Sequence, residues 1–324
     1  LSYFEFTTLA ALMLFADAKV DFALLEVGLG GRLDAVNLID PDCCVITNIA
    51  LDHEDWLGKG RENIGAEKAG ILRAATPFVF CDRDPPASVL ARAASLGVTP
   101  LLIDTDFNAQ KSRGEWCFEG RSCNGSSLRR EALPLPHLFL DNVVGALQAL
   151  AGLNALPTAE ILRNALKGLH LRDSGSGRLV ILDAAHNVAA AELLAQSLRA
   201  SYSAKSPESL PAQGKSLKIR LVLAAMADKN IEDIVQALDP LVDIWYIAAF
   251  EGARALAATE INKRVSSTLP NAEIKLFDSV LPAYRAACDE RPNEEAVVVV
   301  TGSFHTLAEV AALPDLARDE LAVE

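Results

Sequence analysis

The sequence predicts an α/β protein built from two blocks, each an open parallel sheet flanked by helices. Three observations predict it. Short apolar runs that stop at Gly, Asp or Asn alternate with segments of helical apolar spacing, the pattern of parallel strands joined by crossover helices. That alternation is broken by a Gly-, Ser- and charge-rich stretch from Asn108 to Arg130 and by a linker-like stretch, Arg172-Asp173-Ser174-Gly175-Ser176-Gly177. The length, 324 residues, suits roughly two domains.

The elements follow in order. Phe4 to Ala18 has apolar residues at helical spacing and no Gly or Pro, which predicts a helix. Val20 to Val27 is an apolar run ending at Gly28-Leu29-Gly30-Gly31, which reads as a buried strand and a tight loop. Cys43–Ile49, Phe78–Cys81 and Pro100–Ile103 are further strands, with helices at Glu62–Leu72 and Ser88–Leu96 between them. Asn108–Arg130 reads as a peripheral hairpin or loop excursion, followed by helices at Asp141–Leu153 and Thr158–Leu166. The second block has strands at Leu179–Asp183, Arg220–Ala224, Ile244–Ala248, Ile274–Phe277 and Ala296–Thr301. Its helices are Ala189–Ala200, Ile231–Leu238, Ala258–Thr268, Pro282–Glu290 and Thr306–Ala312, and Ser201–Ser216 is a polar connector. Domains are expected at 1–168 and 178–324, with 169–177 as linker.

Composition narrows the class. Apolar residues make up 51%, enough for full cores. Lys and Arg number 30 against 43 Asp and Glu, a net charge of −13. Such a balance argues against a nucleic-acid groove or an anionic membrane as the main partner, while leaving room for a local phosphate pocket. Six Cys, two of them adjacent at Cys43 and Cys44 and the rest without metal spacing, read as buried free thiols of a cytoplasmic protein. No apolar run reaches the roughly 18 residues of a membrane span. The chain opens at Leu1 rather than Met, directly into Ser2-Tyr3-Phe4-Glu5-Phe6, which looks like a chain cut from something longer.

In an open parallel sheet, ligands bind beyond the carboxyl ends of the strands. This rule selects Glu26, then Asp52 and His53, then Asp183, His186 and Asn187, and finally Gly302, Ser303 and His305. Gly28-Leu29-Gly30-Gly31 is no dinucleotide fingerprint, because Leu33 stands where a third Gly is needed. Gly60 and Gly65 have Walker A separation but Ala66 replaces its Lys, and Gly214-Lys215-Ser216 lacks the first Gly. Glu26 reads either as a strand-end carboxylate, solvated in the loop or paired with Arg32, or as a metal ligand, with His53 converging from the next strand. That donor pair suits Mg²⁺ or Mn²⁺. Lys68 is either a solvated helix Lys or a partly buried amine of lowered pKa that can take up CO₂ as a carbamate. Asp183 to Asn187 and Gly302-Ser303 read either as helix caps or as ligand contacts.

Taken together and in order, these segments resemble one family. They are Ser2-Tyr3-Phe4-Glu5-Phe6, Glu26-Val27-Gly28-Leu29-Gly30-Gly31-Arg32-Leu33-Asp34-Ala35, Leu51-Asp52-His53, Trp56-Leu57-Gly58, Glu67-Lys68-Ala69-Gly70-Ile71, Asp183-Ala184-Ala185-His186-Asn187, Asp228-Lys229 and Gly302-Ser303-Phe304-His305-Thr306. The chain resembles the bacterial bifunctional dihydrofolate synthase/folylpolyglutamate synthases of the Mur ligase superfamily. The resemblance implies a Mur-ligase-like fold, with part of a P-loop-type ATPase domain followed by a Rossmann-like C-terminal domain. It implies ATP-dependent ligation of L-glutamate to dihydropteroate and to folate glutamyl tails through an acyl phosphate, by a cytoplasmic monomer. It implies ATP and two Mg²⁺ sites, K⁺ as a further candidate, and a carbamylated Lys68. Glu26 and His53 match magnesium ligands, with Lys68 and His53 in the catalytic set. Ser2, Tyr3, Phe4, Glu5, Leu33, Asp34 and Ala35 match the dihydropteroate site. Asn142 and Asp183 match nucleotide contacts, with His186 and Asn187 adjacent; Ser303 and His305 carry no assigned role.

The sequence departs from the family in three places. The family's Gly-rich phosphate loop and one magnesium ligand would lie upstream of Leu1. In place of the usual inter-domain Pro-Gly-Arg the region reads Leu169-His170-Leu171-Arg172-Asp173-Ser174-Gly175-Ser176-Gly177, so that either Arg172 replaces that nucleotide-contacting Arg or the contact is lost, and Val188 stands where Pro follows His-Asn. The competing readings are another Mur-type amide ligase and a non-catalytic binding protein that lost its phosphate loop.

Overall fold

The computed structural model describes residues 1–112, 115–136, 139–167, 171–202, 217–252, 254–291, 294–314 and 316–318. The chain forms two compact units. The first comprises Leu1–Gln110, Phe118–Arg130 and Asp141–Pro157, and the second Lys111–Cys117, Glu131–Leu140 and Thr158–Glu324.

The first unit opens with α1 (Tyr3–Ala18). Ser2 caps it with a capping box: its Oγ accepts from the Glu5 amide, and the Glu5 carboxylate accepts from the Ser2 amide at 2.7 Å. Lys19 ends the helix in the left-handed region. The expected strand at Val20–Val27 does not form: these residues pair with no strand, the chain bends at Asp21, and Phe22 and Leu24 are exposed. A strand is defined by its partner, and β1 (Cys44–Ile46), β2 (Phe78–Phe80) and β3 (Leu101–Leu102) pair in the order β1-β2-β3 without it. Their pairing is parallel, with Cys44 opposite Phe78 and Val79 opposite Leu101.

Short α2 (Glu54–Leu57) follows β1, then α3 (Arg61–Lys68), a 3₁₀ turn at Ala69–Ile71, and α4 (Ala87–Ser95). The predicted helix to Leu72 thus tightens after Lys68. Ile64, Ala69, Leu72, Val89 and Ala93 of these elements pack on Cys44, Ile46, Phe78 and Phe80 to make the unit's core. The Asn108–Arg130 stretch is a small sheet of β4 (Asn108–Ser112), β5 (Glu115–Arg121) and β6 (Ser127–Pro134). Buried Gln148 of α5 (Leu140–Gly152) grips β5, accepting from the Arg121 amide and donating to the Arg121 carbonyl.

The second unit holds α6 (Ala159–Lys167) and a seven-stranded sheet. Its strands are β7 (Leu171–Asp173), β8 (Leu179–Leu182), β9 (Lys218–Leu223), β10 (Ile244–Ile247), β11 (Ile274–Leu276), β12 (Ala296–Thr301) and β13 (Leu316–Arg318). The order is β11-β10-β9-β12-β8-β7-β13. The five strands read from the sequence pair parallel, and β7 and β13 add an antiparallel edge. The linker-like stretch is therefore a hairpin of this sheet: Asp173 accepts from the Ser176 amide and side chain, and Gly177 turns the chain at φ 69°. The rest of the linker expectation, residues 169 and 170, lies outside the described residues, as does 203–216 of the predicted connector.

Strand side chains alternate between faces. Leu221, Leu223, Trp245, Val297 and Val299 pack on one face against α7 (Val188–Tyr202), α8 (Ile231–Leu238) and α9 (Ala258–Thr268). Val222, Tyr246, Val298 and Val300 face α10 (Val280–Asp289) and α11 (Phe304–Ala311). Two-sided burial explains why these strands read as continuous apolar runs. All six Cys are free thiols, four of them buried, and burial pushes the Cys81 thiol up to about 12.

Candidate active site

In the first unit, a cleft of about 350 Å³ is lined by Leu1, Glu5, Thr8 and Leu9 of the α1 region and by Arg32, Leu33, Asp34, Ala35, Asn37 and Leu38. Of the seven expected substrate contacts, Glu5, Leu33, Asp34 and Ala35 line it. Ser2, Tyr3 and Phe4 do not: Ser2 is spent on the cap, Tyr3 points to solvent at 86% exposure, and the Phe4 ring lies against Gly28. Asp34 is engaged with its own loop, one oxygen accepting from the Gly28 and Leu29 amides and the other from the Val36 amide. It therefore shapes the cleft wall through the backbone.

Glu26 is exposed, and among the described residues its carboxylate has no ion pair or hydrogen bond. Arg32, its expected partner, instead forms a fork on Glu67, Nε donating to both carboxylate oxygens at 3.0 and 3.2 Å. His53 sits at the start of α2 in the left-handed region, φ 53°, with its amide on the Asp52 carboxylate at 2.9 Å. That backbone turn projects the imidazole away from the core, and its Nε2 stands 3.9 Å from Asp52. Lys68 ends α3 half-buried; burial lowers its pKa below the ordinary 10.5, and Asp52 offsets part of that. Asn142 is exposed in the first turn of α5. Its neighbour Asp141 accepts a two-pronged bond from Arg83, whose Nε also reaches Asp104.

In the second unit, Asp183 follows β8 and its carboxylate accepts from the Ala185 amide at 2.8 Å. Burial raises its pKa. Asn187 caps α7, accepting from the Ala190 amide, and His186 Nδ1 lies 2.8 Å from the Ala184 carbonyl. Asp183 and Asn187 thus make the bonds that the capping reading expects of this turn. Ser303 likewise caps α11, accepting from the Thr306 amide. His305 stacks on Phe250 at 5.2 Å between ring centroids, a contact the sequence did not signal. Arg172 lies on β7, exposed, with Nη1 on the Gly177 carbonyl at 3.3 Å.

The middle-domain model of Mur ligases matches residues 2–120, and the Mur ligase glutamate ligase domain model matches residues 169–304. This is a ligase of the Mur type. The chain belongs to the dihydrofolate synthase/folylpolyglutamate synthase family. It is 37% identical to the Escherichia coli K12 dihydrofolate synthase/folylpolyglutamate synthase over 98% of this chain and 71% of that protein. It is 32% identical to the Haemophilus influenzae enzyme over 97% of this chain and 72% of that one. Among solved structures, E. coli FolC in complex with DHPP and ADP matches with a TM-score of 0.76 at 38% identity, covering 96% of this chain and 70% of that one. A bifunctional folylpolyglutamate synthase/dihydrofolate synthase with Mn, AMPPNP and L-glutamate bound matches at 0.73 and 38% identity, covering 96% of this chain and 71% of that one.

Proposed function

We propose that the chain ligates L-glutamate to dihydropteroate and to folate glutamyl tails at the expense of ATP. The observation that carries this reading is the 37% identity over 98% of the chain to a protein named for both activities. A carboxylate is a poor acyl donor, so the acid's oxygen first takes the γ-phosphoryl group of ATP, releasing ADP. The glutamate amine then attacks the acyl carbon, the carbon–oxygen bond to phosphate breaks, and the amide forms with loss of a proton. Glu5 and the Leu33–Ala35 wall hold the acid. Asn142, Asp183, His186 and Asn187 contact the nucleotide, with Arg172 replacing the family's inter-domain Arg.

The donor chemistry fits a hard divalent cation: an unpaired carboxylate at Glu26 and an outward imidazole at His53. Glu26 and His53 would hold Mg²⁺, which when bound would supply charge neutralisation for the phosphoryl group being transferred. Lys68, its ammonium disfavoured by burial, is suited to carry a carbamate that turns a cation into an anion. K⁺ as a further ion, a monomeric state and a cytoplasmic setting belong to the same reading. The domain division at 169–177 does too. The test is incorporation of labelled L-glutamate into dihydropteroate. Incorporation that requires both ATP and Mg²⁺ is the expected result; none with either acid acceptor overturns the reading.

A further inference from the structure

The cleft wall and the turn bearing Lys68 are packed as one block. The Arg32 amide donates to the Glu67 carbonyl at 2.9 Å, and the Arg32 side chain clasps the Glu67 carboxylate. Asn37 Nδ2 donates to the Arg32 carbonyl on one side and to the Gly70 carbonyl on the other, both at 3.2 Å. Arg73 then holds Asn37 through its carbonyl and its Oδ1 at 3.0 and 3.1 Å. The backbones touch so closely that a Cβ on Gly70 would lie 2.3 Å from Arg32 Cβ. One on Gly31, at φ 157°, would lie 2.9 Å from the Glu67 carbonyl. Arg32 and Asn37 also line the cleft. Leu33, Asp34 and Ala35 are thereby fixed in distance from Lys68.

We propose that Arg32 and Asn37 are positioning residues, which lock the acid-binding wall to the Glu67–Gly70 turn and so set the register between the substrate carboxylate and Lys68. The inference rests on the function proposed above. A preorganised geometry matters because an error of about 1 Å can cost about a hundredfold in rate. Both act through Glu67, Gly70 and the loop they hold.

The experiment is steady-state glutamate ligation by the intact enzyme carrying Asn37→Ala, Arg32→Ala, Glu67→Ala and the Arg32→Ala/Glu67→Ala pair. Dihydropteroate affinity is measured alongside by direct titration, and folded fraction by circular dichroism. The expected result is a kcat lowered by about 10- to 100-fold, a loss of dihydropteroate affinity smaller than the loss of kcat, and a double variant no worse than either single one. Arg32→Lys, which keeps charge but loses the fork, should recover only part of the rate. A rate loss matched by lost folded protein, a raised KM with unchanged kcat, or additive effects of Arg32→Ala and Glu67→Ala would each overturn the inference. Wild-type enzyme without ligase activity would instead sink the functional reading, so the two failures are distinct.

Discussion

At the scale of single residues, Lys68 and Asp183 carry charges that the fold disfavours. Burial puts the folded-state pKa of Lys68 below its unfolded value. Below the unfolded value, proton uptake then favours the unfolded chain, so the ammonium costs stability at neutral pH. That cost shrinks as pH rises toward the unfolded pKa. Lys68→Met should therefore raise the urea midpoint near neutral pH, with the gain shrinking as pH rises toward the unfolded 10.5 and gone above it, while ligation falls at least about tenfold. Asp183 runs the opposite way: its folded pKa lies above the unfolded 3.8, so its charge costs stability at neutral pH and the cost fades as pH falls. Asp183→Asn keeps an oxygen for the Ala185 amide and should match or exceed wild-type stability near neutral pH. Glu26→Gln or His53→Ala should lower ligation at least about tenfold through weaker metal binding. Titration with Mn²⁺ checks it: an unchanged affinity in both variants would remove them from the ligand set.

At the scale of elements, close approaches set the register of helices on strands. Gly302 joins β12 to α11 at φ 110°, and a Cβ there would stand 2.2 Å from the Ala224 carbonyl. Gly302→Ala should cost about 2–4 kcal/mol, since strain and overpacking act together. Denaturant titration reads the loss. Gly145 of α5 meets Cys81 in the same way, with Sγ 2.4 Å from an added Cβ. There the clash is with a side chain, so Cys81→Ala should restore most of the stability lost in Gly145→Ala. The strands that carry the second sheet were legible because both faces are buried and the runs are uninterrupted, as in Val297–Val300. Val20–Val27 looks the same in sequence, yet pairing is a property of two segments and no periodicity reports it. The edge strands β7 and β13 were invisible for the opposite reason: Arg172 and Asp173 give a polar hairpin its linker composition. In the first unit, motif order singled out Glu5 and Asp34, which line the cleft, and Arg32, whose partner it missed. The Arg32–Glu67, Asn37–Gly70 and Arg83–Asp141 contacts span tens of residues, and no local pattern reports them.

At the scale of the whole molecule, the two units differ in how well they bury their apolar surface. The second has a core on both faces of a seven-stranded sheet, with Trp245 and Tyr246 almost fully enclosed. Two buried guanidiniums secure it. Arg178 donates to the Cys288, Glu290, Arg291 and Glu294 carbonyls, and Arg220 reaches the Ala287 carbonyl and Glu294. The first unit has a three-stranded sheet covered by short helices, and its exposed large apolar side chains concentrate between Leu1 and Trp56. Local stability follows buried apolar contact, so the first unit should unfold at lower denaturant than the second. Guanidinium titration followed by far-UV circular dichroism should show two steps. The emission of Trp245, isolated by replacing Trp56 and Trp116 with Phe, should shift only in the second. Dihydropteroate binds the first unit alone in the proposed reading, so at about 100 times its Kd it should stabilise the first step by about 2.7 kcal/mol and leave the second unmoved. A single transition reported identically by both probes would show that the units unfold together. A ligand shift confined to the Trp245 step would place the acid on the second unit rather than in the Glu5–Asp34 cleft.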